Sequence, residues 1–241
     1  DFWQRYVMKI FYIYHSGFAV ETEKYKLIFD YYMEPKKDSG EFRVKEFIVG
    51  EKEVFVFSSH SHRDHFRKEI LEWQKINSNI KYILSDDIKE EVDAYFVKEG
   101  DKLEVDGVEI KVFGSTDLGV SFFVKCDGKT FFHAGDLNWW AWSDDTLEEE
   151  TYMRELYYSK MDYIEEVLKE ECIDYLFYPV DPRLEENSFL GIEYFIEKVK
   201  VKNIVPMHMW DNYEIIKELK KRVAKNIIEF EKNCEKILEI C

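Results

Sequence analysis

An unbroken apolar run, Val54-Phe55-Val56-Phe57, leads almost directly into His60-Ser61-His62-Arg63-Asp64-His65. A stretch that is apolar at nearly every position suits a strand buried on both faces. The chain must therefore build an interior strand whose tip carries three of its six histidines and a carboxylate. His60 and His62 are two apart, so on extended backbone their imidazoles project from one face. Asp64 continues that face, and a turn at the strand end swings His65 toward the same point. Neutral imidazoles together with a carboxylate are ligands that Zn²⁺, Mn²⁺ or Fe²⁺ accept. The alternative is a surface loop that happens to be rich in histidine. The spacing, the aspartate and the preceding strand all argue against it.

The rest of the pattern divides into two styles. Lys9–Tyr14, Phe18–Thr22 and Lys26–Tyr31 read as short strands with tight connections. Phe66 to Asn77 carries apolar residues at helical spacing (Phe66, Ile70, Trp73, Ile76), and Lys81–Leu84 returns to strand. Asp106-Gly107 and Asp127-Gly128 are hairpin turn signals, between Lys102–Val105 and Val108–Phe113 and between Val120–Cys126 and Thr130–His133. Further on the pattern alternates. Leu147 to Glu171 predicts a long acidic helix, Tyr175–Val180 a strand, Gly191–Lys200 a helix, Asn203–Met207 a strand, and Tyr213 to Leu238 a closing helix. Antiparallel strands first and βαβ-like alternation later suggest two packed sheets with helices outside.

Composition narrows the function classes. With 241 residues and 46% hydrophobic content, the chain can bury one substantial core, and a single domain spanning 1–241 is expected. No apolar stretch approaches the roughly 20 residues needed to span a bilayer. The short apolar run Ile10 to Tyr14 lacks the length of a signal sequence. Cys126, Cys172, Cys234 and Cys241 form no CxxC pair, so reduced thiols in a cytoplasmic protein are expected. The net charge of −16 repels phosphate backbones and disfavours nucleic acid as a partner relative to a small-molecule substrate. Met8-Lys9-Ile10-Phe11 reads as a natural beginning followed by a strand, which leaves Asp1 to Val7 as an extension.

Two more strands end in polar groups. Phe131-Phe132-His133-Ala134-Gly135-Asp136 closes on Gly-Asp, and Ile204-Val205-Pro206-Met207-His208 closes on a histidine. Strand ends on one sheet edge converge, which is where a metal site finds further ligands. With the histidine cluster, this set resembles the metallo-β-lactamase-fold hydrolase superfamily over most of the chain, from Asp30 to His208. His60, His62, Asp64 and His65 match its histidine motif residue by residue, Gly135-Asp136 its bridging aspartate, and His208 its last ligand. Asp30, ending Leu27-Ile28-Phe29-Asp30, matches an aspartate that supports the histidine loop from behind rather than binding metal. The resemblance implies an α+β fold, a four-layer αββα sandwich with one or two divalent ions on one edge. Zinc is the first expectation, with manganese or iron as alternatives.

One motif departs from the family pattern. Where a histidine is expected before the hairpin, this chain has Gly114-Ser115-Thr116-Asp117-Leu118-Gly119. Either Asp117 or Thr116 substitutes as an oxygen ligand, or His133 swings in against strand alternation, or the His60-His62 site is weak or empty. An oxygen donor would shift preference from zinc toward manganese or iron. His15 resembles a histidine turn of the lactonase-like and phospholipase-D-like branch; it either lines the pocket or bonds to backbone. Trp139 and Trp140, in Asn138-Trp139-Trp140-Ala141-Trp142, either wall the substrate or belong to the core. Arg183 is a candidate for gripping a phosphate or carboxylate.

The chemistry that follows is metal-assisted hydrolysis. Divalent ions lower the pKa of water toward about 7, and Asp64 would orient the resulting hydroxide and take its proton. The expected substrate is a small ester, lactone or phosphodiester. A nuclease of the same fold, or a non-catalytic metal-binding sensor with a degenerate site, are the competing readings.

Overall fold

The computed structural model describes residues 7–37 and 39–240. The leading segment Asp1 to Val7 therefore lies, apart from Val7, outside the described residues, as does Cys241. The chain divides into two compact units, Asp1–Val97 with Phe230–Cys241, and Lys98–Glu229.

The first unit holds a seven-stranded sheet. Its strands are β1 (Met8–Tyr14), β2 (Gly17–Glu21), β3 (Tyr25–Phe29), β4 (Glu53–Ser58), β5 (Ile80–Ser85), β6 (Tyr95–Val97) and the last strand, Glu235–Ile240. The last strand, β1, β2 and β3 pair antiparallel, and β3 through β6 pair parallel. Strands β3 and β4 are buried almost throughout, as parallel strands covered on both faces must be. Val54 and Val56 face a cluster with Trp73, Ile70 and Tyr82. Phe55 and Phe57 point the other way, Phe57 stacked on Phe29 at 4.7 Å. The helix α1 (Val44–Phe47) contributes Val44 to the same cluster as Trp73.

The second unit repeats the plan with a second seven-stranded sheet. Strands β7 (Lys102–Val105), β8 (Val108–Gly114), β9 (Val120–Cys126) and β10 (Lys129–His133) pair antiparallel. From β10 the sheet continues parallel through β11 (Ile173–Pro179), β12 (Val201–Met207) and β13 (Asn226–Ile227). Both Asp-Gly hairpins form, with Asp106, Gly107, Asp127 and Gly128 all at positive φ, as the two-residue turn demands. Helix α2 (Leu147–Leu168) starts on a capping box in which Thr146 and Glu149 exchange side-chain and backbone bonds. Helices α3 (Leu190–Lys198) and α4 (Glu214–Arg222) precede β12 and β13. No described helix is long and apolar enough to cross a membrane.

Two expectations are corrected. Phe66 to Asn77 winds as a 3₁₀ helix over Lys68–Lys75, not as an α-helix; its Trp73 and Ile70 are buried, while Ile76 stays exposed. The closing helix from Tyr213 to Leu238 stops at Arg222. The chain beyond it supplies β13 to one sheet and Glu235–Ile240 to the edge of the other. Sheet-edge pairing there overrides the helical leaning of a Lys- and Glu-rich stretch.

Candidate functional site

In both units the polar groups cluster where parallel strands end. In the first unit, Asp30 follows β3 at φ 44°, a left-handed conformation unfavourable for a residue with a Cβ. Its hydrogen bonds hold it there. One carboxylate oxygen accepts the Ser59 N–H at 2.7 Å; the other accepts the Ser59 hydroxyl at 2.6 Å and lies 2.7 Å from His65 Nδ1. A carboxylate cannot donate, so His65 carries its proton on Nδ1. Ser59, having given its one proton to Asp30, accepts from His60 Nδ1 at 2.9 Å. Both imidazoles therefore present Nε2 with its lone pair, the atom a metal ion takes.

His15 and Asp64 complete this cluster. His15 sits at φ 58° in the β1–β2 turn, fully buried, its backbone N–H donating to the Tyr12 hydroxyl at 2.8 Å. Its Nε2 lies 3.3 Å from an Asp64 carboxylate oxygen, which is also 3.8 Å from His65 Nε2. Burial would raise the Asp64 pKa. The hydrogen bond from His15 and the favourable electrostatics of the neighbouring His65 and His15 rings outweigh it and hold the carboxyl well below the usual range. Ligand atoms of His15, Asp64 and His65 lie within 4.8 Å of one another, as do those of His60 and His62. Asp87 accepts the Ser61 N–H at 2.8 Å and ties the loop down just beyond β5.

In the second unit, Gly135 at φ 54° turns the chain from β10 into Asp136. The Asp136 carbonyl accepts Trp140 Nε1–H at 2.9 Å, and its carboxylate lies 3.4 Å from His208 Nε2. His208, after β12, also has positive φ, at 62°, and its Nδ1 lies 2.9 Å from Asp181 at the end of β11. Burial alone would raise the Asp181 pKa, but the bonds from His208 and Arg183 hold it down to about 2. Arg183 grips that carboxylate at 2.9 Å through Nε and 2.5 Å through Nη2. The guanidinium proposed from sequence to hold a substrate anion is thus engaged within the protein, over the rings of Trp142 and Trp210.

The third-motif gap also has an occupant on this unit. Asp117 is exposed and offers an oxygen within 4.8 Å of one from Asp136. Thr116 spends its hydroxyl on backbone, donating to the Asn138 carbonyl at 2.6 Å and accepting the Asn138 N–H at 3.0 Å. His133 accepts the Gly135 N–H at 3.2 Å through Nδ1, inside the Gly-Asp turn. Trp140 lies 5.3 Å from His208 and stacks on Trp142, whereas Trp139 turns to Tyr157 and Tyr158 of α2.

Sequence reasoning missed Asp181, Ser59 and Asp87. Asp181 carried a usable signal, because it stands two residues past a buried parallel strand, much as Asp30 stands at the end of β3. Ser59 and Asp87 carried none, since their roles depend on which side chain each one meets.

A sequence-family profile described as "Beta-lactamase superfamily domain" matches residues 9–151. Comparison with curated proteins gave no match. Among solved structures, the chain is similar to Igni18, described as a novel metallo hydrolase from the archaeon Ignicoccus hospitalis. The TM-score is 0.68 at 17% identity, covering 97% of this chain and 98% of that one. It is also similar to YhfI from Bacillus subtilis, a metallo-β-lactamase-fold protein, at TM-score 0.61 and 12% identity over 98% and 99% of the two chains. A third is CmlA, a diiron β-hydroxylase from Streptomyces venezuelae, at TM-score 0.63 and 10% identity; the match covers 94% of this chain and 53% of CmlA. At such identities the likeness is one of fold: the α+β metallo-β-lactamase fold, with two sheets and helices.

Proposed function

The chain belongs to the β-lactamase superfamily, and on that premise we propose that it is a divalent-metal-dependent hydrolase acting on a small ester, lactone or phosphodiester. The observation that carries this reading is the tautomer of its histidines. His65 and His208 each have Nδ1 held by a buried carboxylate, and His60 by Ser59, so that Nε2 carries the lone pair in all three. This is the donor arrangement a divalent cation requires, and the residues fit such an ion.

In this reading the ligands offered by the first unit are His60, His62, Asp64 and His65, and those offered by the second are Asp136 and His208, with Asp117 standing in for the absent imidazole. Bound ions would supply Lewis acidity, lowering the pKa of a coordinated water and polarising the scissile bond. Asp64 is kept ionised beside His15 and so can accept a hydrogen bond from the attacking water and fix its direction. His15 holds Asp64 in place, and Trp140 packs edge-on against the His208 ring. Zinc is the first candidate, and the oxygen donor Asp117 gives manganese and iron a larger share than an all-imidazole site would.

The test is metal content by mass spectrometry after loading and dialysis, joined to hydrolysis of simple lactones, p-nitrophenyl esters and bis-p-nitrophenyl phosphate. Asp64→Ala and His65→Ala should each lose at least about 100-fold in kcat/KM, on the scale of a lost base or ligand. Full activity in both variants would sink the proposal.

A further inference from the structure

We propose that a cationic pocket beside the histidine loop receives an anionic group, phosphate or carboxylate, carried by the substrate. The inference rests on the hydrolase reading for what the substrate is, and on the first unit alone for the pocket.

The pocket encloses about 490 Å³, within the range of small-molecule sites. Its wall includes Ser61 and Arg63, the two residues interleaved among His60, His62 and Asp64. Arg67, Lys68 and Lys89 bring its cations to four. In a chain of net charge −16, such a concentration of positive charge is local and specific. Buried Phe66 and Ile88 give the wall an apolar portion, suited to the carbon skeleton next to an anion.

The charges divide into satisfied and available. Lys68 pairs with Glu90 at 2.7 Å, and Glu69 is hydrogen-bonded by the Tyr31 hydroxyl. Lys89 reaches the Asp86 carbonyl, a contact that leaves its charge uncompensated. Arg67 lies 5.9 Å from the Tyr32 ring centre, which positions the guanidinium without neutralising it. Arg63 is exposed and has no ion pair among the described residues. Arg63 and Arg67 thus offer planar, two-pronged donors that match a phosphate or carboxylate, whereas Arg183 is already spent on Asp181. Because Ser61 and Arg63 belong to the histidine loop itself, an anion seated there would be held beside that loop.

Titration calorimetry on the metal-free protein tests the pocket without its proposed ions. Inorganic phosphate and acetate are the two probes, and the tighter one identifies the anion. Arg63→Ala with Arg67→Ala should weaken the preferred anion at least about tenfold, the scale of a lost charge-assisted bond. Arg63→Lys should recover part of that loss, and His65→Ala should leave anion binding intact. In the metal-loaded enzyme, the double variant should also lower by about tenfold the kcat/KM preference for anionic over neutral substrates. Unchanged anion binding and unchanged preference in the double variant would overturn the pocket while leaving hydrolysis standing. Arginine-dependent phosphate binding in a protein that holds no metal would instead overturn the hydrolase reading and keep the anion site.

Discussion

The two units solve one problem with different materials. Each places a histidine Nδ1 against a buried carboxylate at the end of its parallel strands: His65 on Asp30 in the first unit, His208 on Asp181 in the second. In the first, the carboxylate is enclosed by neutral donors, with Ser59 bonding it twice, and nothing about the pair reaches solvent. In the second, the carboxylate also carries Arg183, whose side chain is 52% exposed. A sealed pair depends on every bond, since a donor orphaned in the interior keeps its full desolvation cost. A pair with one partner at the surface can hand that partner to water. The same device is therefore rigid in one unit and forgiving in the other.

The sharpest way to break this comparison is to delete both carboxylates in turn. Asp30→Ala strands two Ser59 donors and the His65 Nδ1–H. It should cost about 4 kcal/mol in urea unfolding, beyond its loss of metal affinity. Asp181→Ala frees Arg183 to solvent and should cost only about 2 kcal/mol. Both variants should lose 10- to 100-fold in metal affinity, the usual effect of removing a carboxylate behind a ligating imidazole. Equal unfolding costs would erase the distinction.

A smaller effect sharpens the proposed ligand set. Asp117→His would supply the imidazole that the third motif lacks. It should raise the preference for zinc over manganese by about tenfold in competitive metal loading, since imidazole suits zinc better than a carboxylate does. No change would mean that Asp117 stands outside the ligand set.

The smallest effect concerns the opposite ends of the strands. In the second unit Asp174 accepts the Thr130 N–H at 2.9 Å, its hydroxyl at 3.1 Å and the Lys202 ammonium at 2.7 Å. Burial alone would raise the Asp174 pKa, but these bonds lower it below the ordinary carboxylate value. A group depressed in the folded state stabilises fully above its unfolded pKa near 3.9. That contribution is lost as pH falls through the lower folded value. Asp174→Asn should therefore lower stability at pH 7 and flatten its dependence below about pH 4, read from urea midpoints across pH.

Much of the site was legible because its residues follow buried strands. Apolar runs announce β4, β10 and β12, and a polar residue just past such a run has few places to point. The Asp-Gly hairpins were equally readable, since that dipeptide accepts the two positive φ angles a tight turn needs. Where the pattern misled, pairing was the cause: Glu235–Ile240 has the composition of a helix surface and becomes a strand because β1 offers it an open edge. The strand Tyr95–Val97 and the short helix α1 went unread for another reason, being too short to carry a period of their own.

The amino-acid sequence by itself determined the family, the strand tips and the identities of the donor residues, because strand burial and motif spacing are local properties of the chain. Only the tertiary structure decided which nitrogen each histidine presents, that Asp181 stands behind His208, and that Arg183 is bound while Arg63 is not. Those outcomes depend on hydrogen bonds between residues up to 35 positions apart, as from Asp30 to His65, and no local pattern encodes such partners.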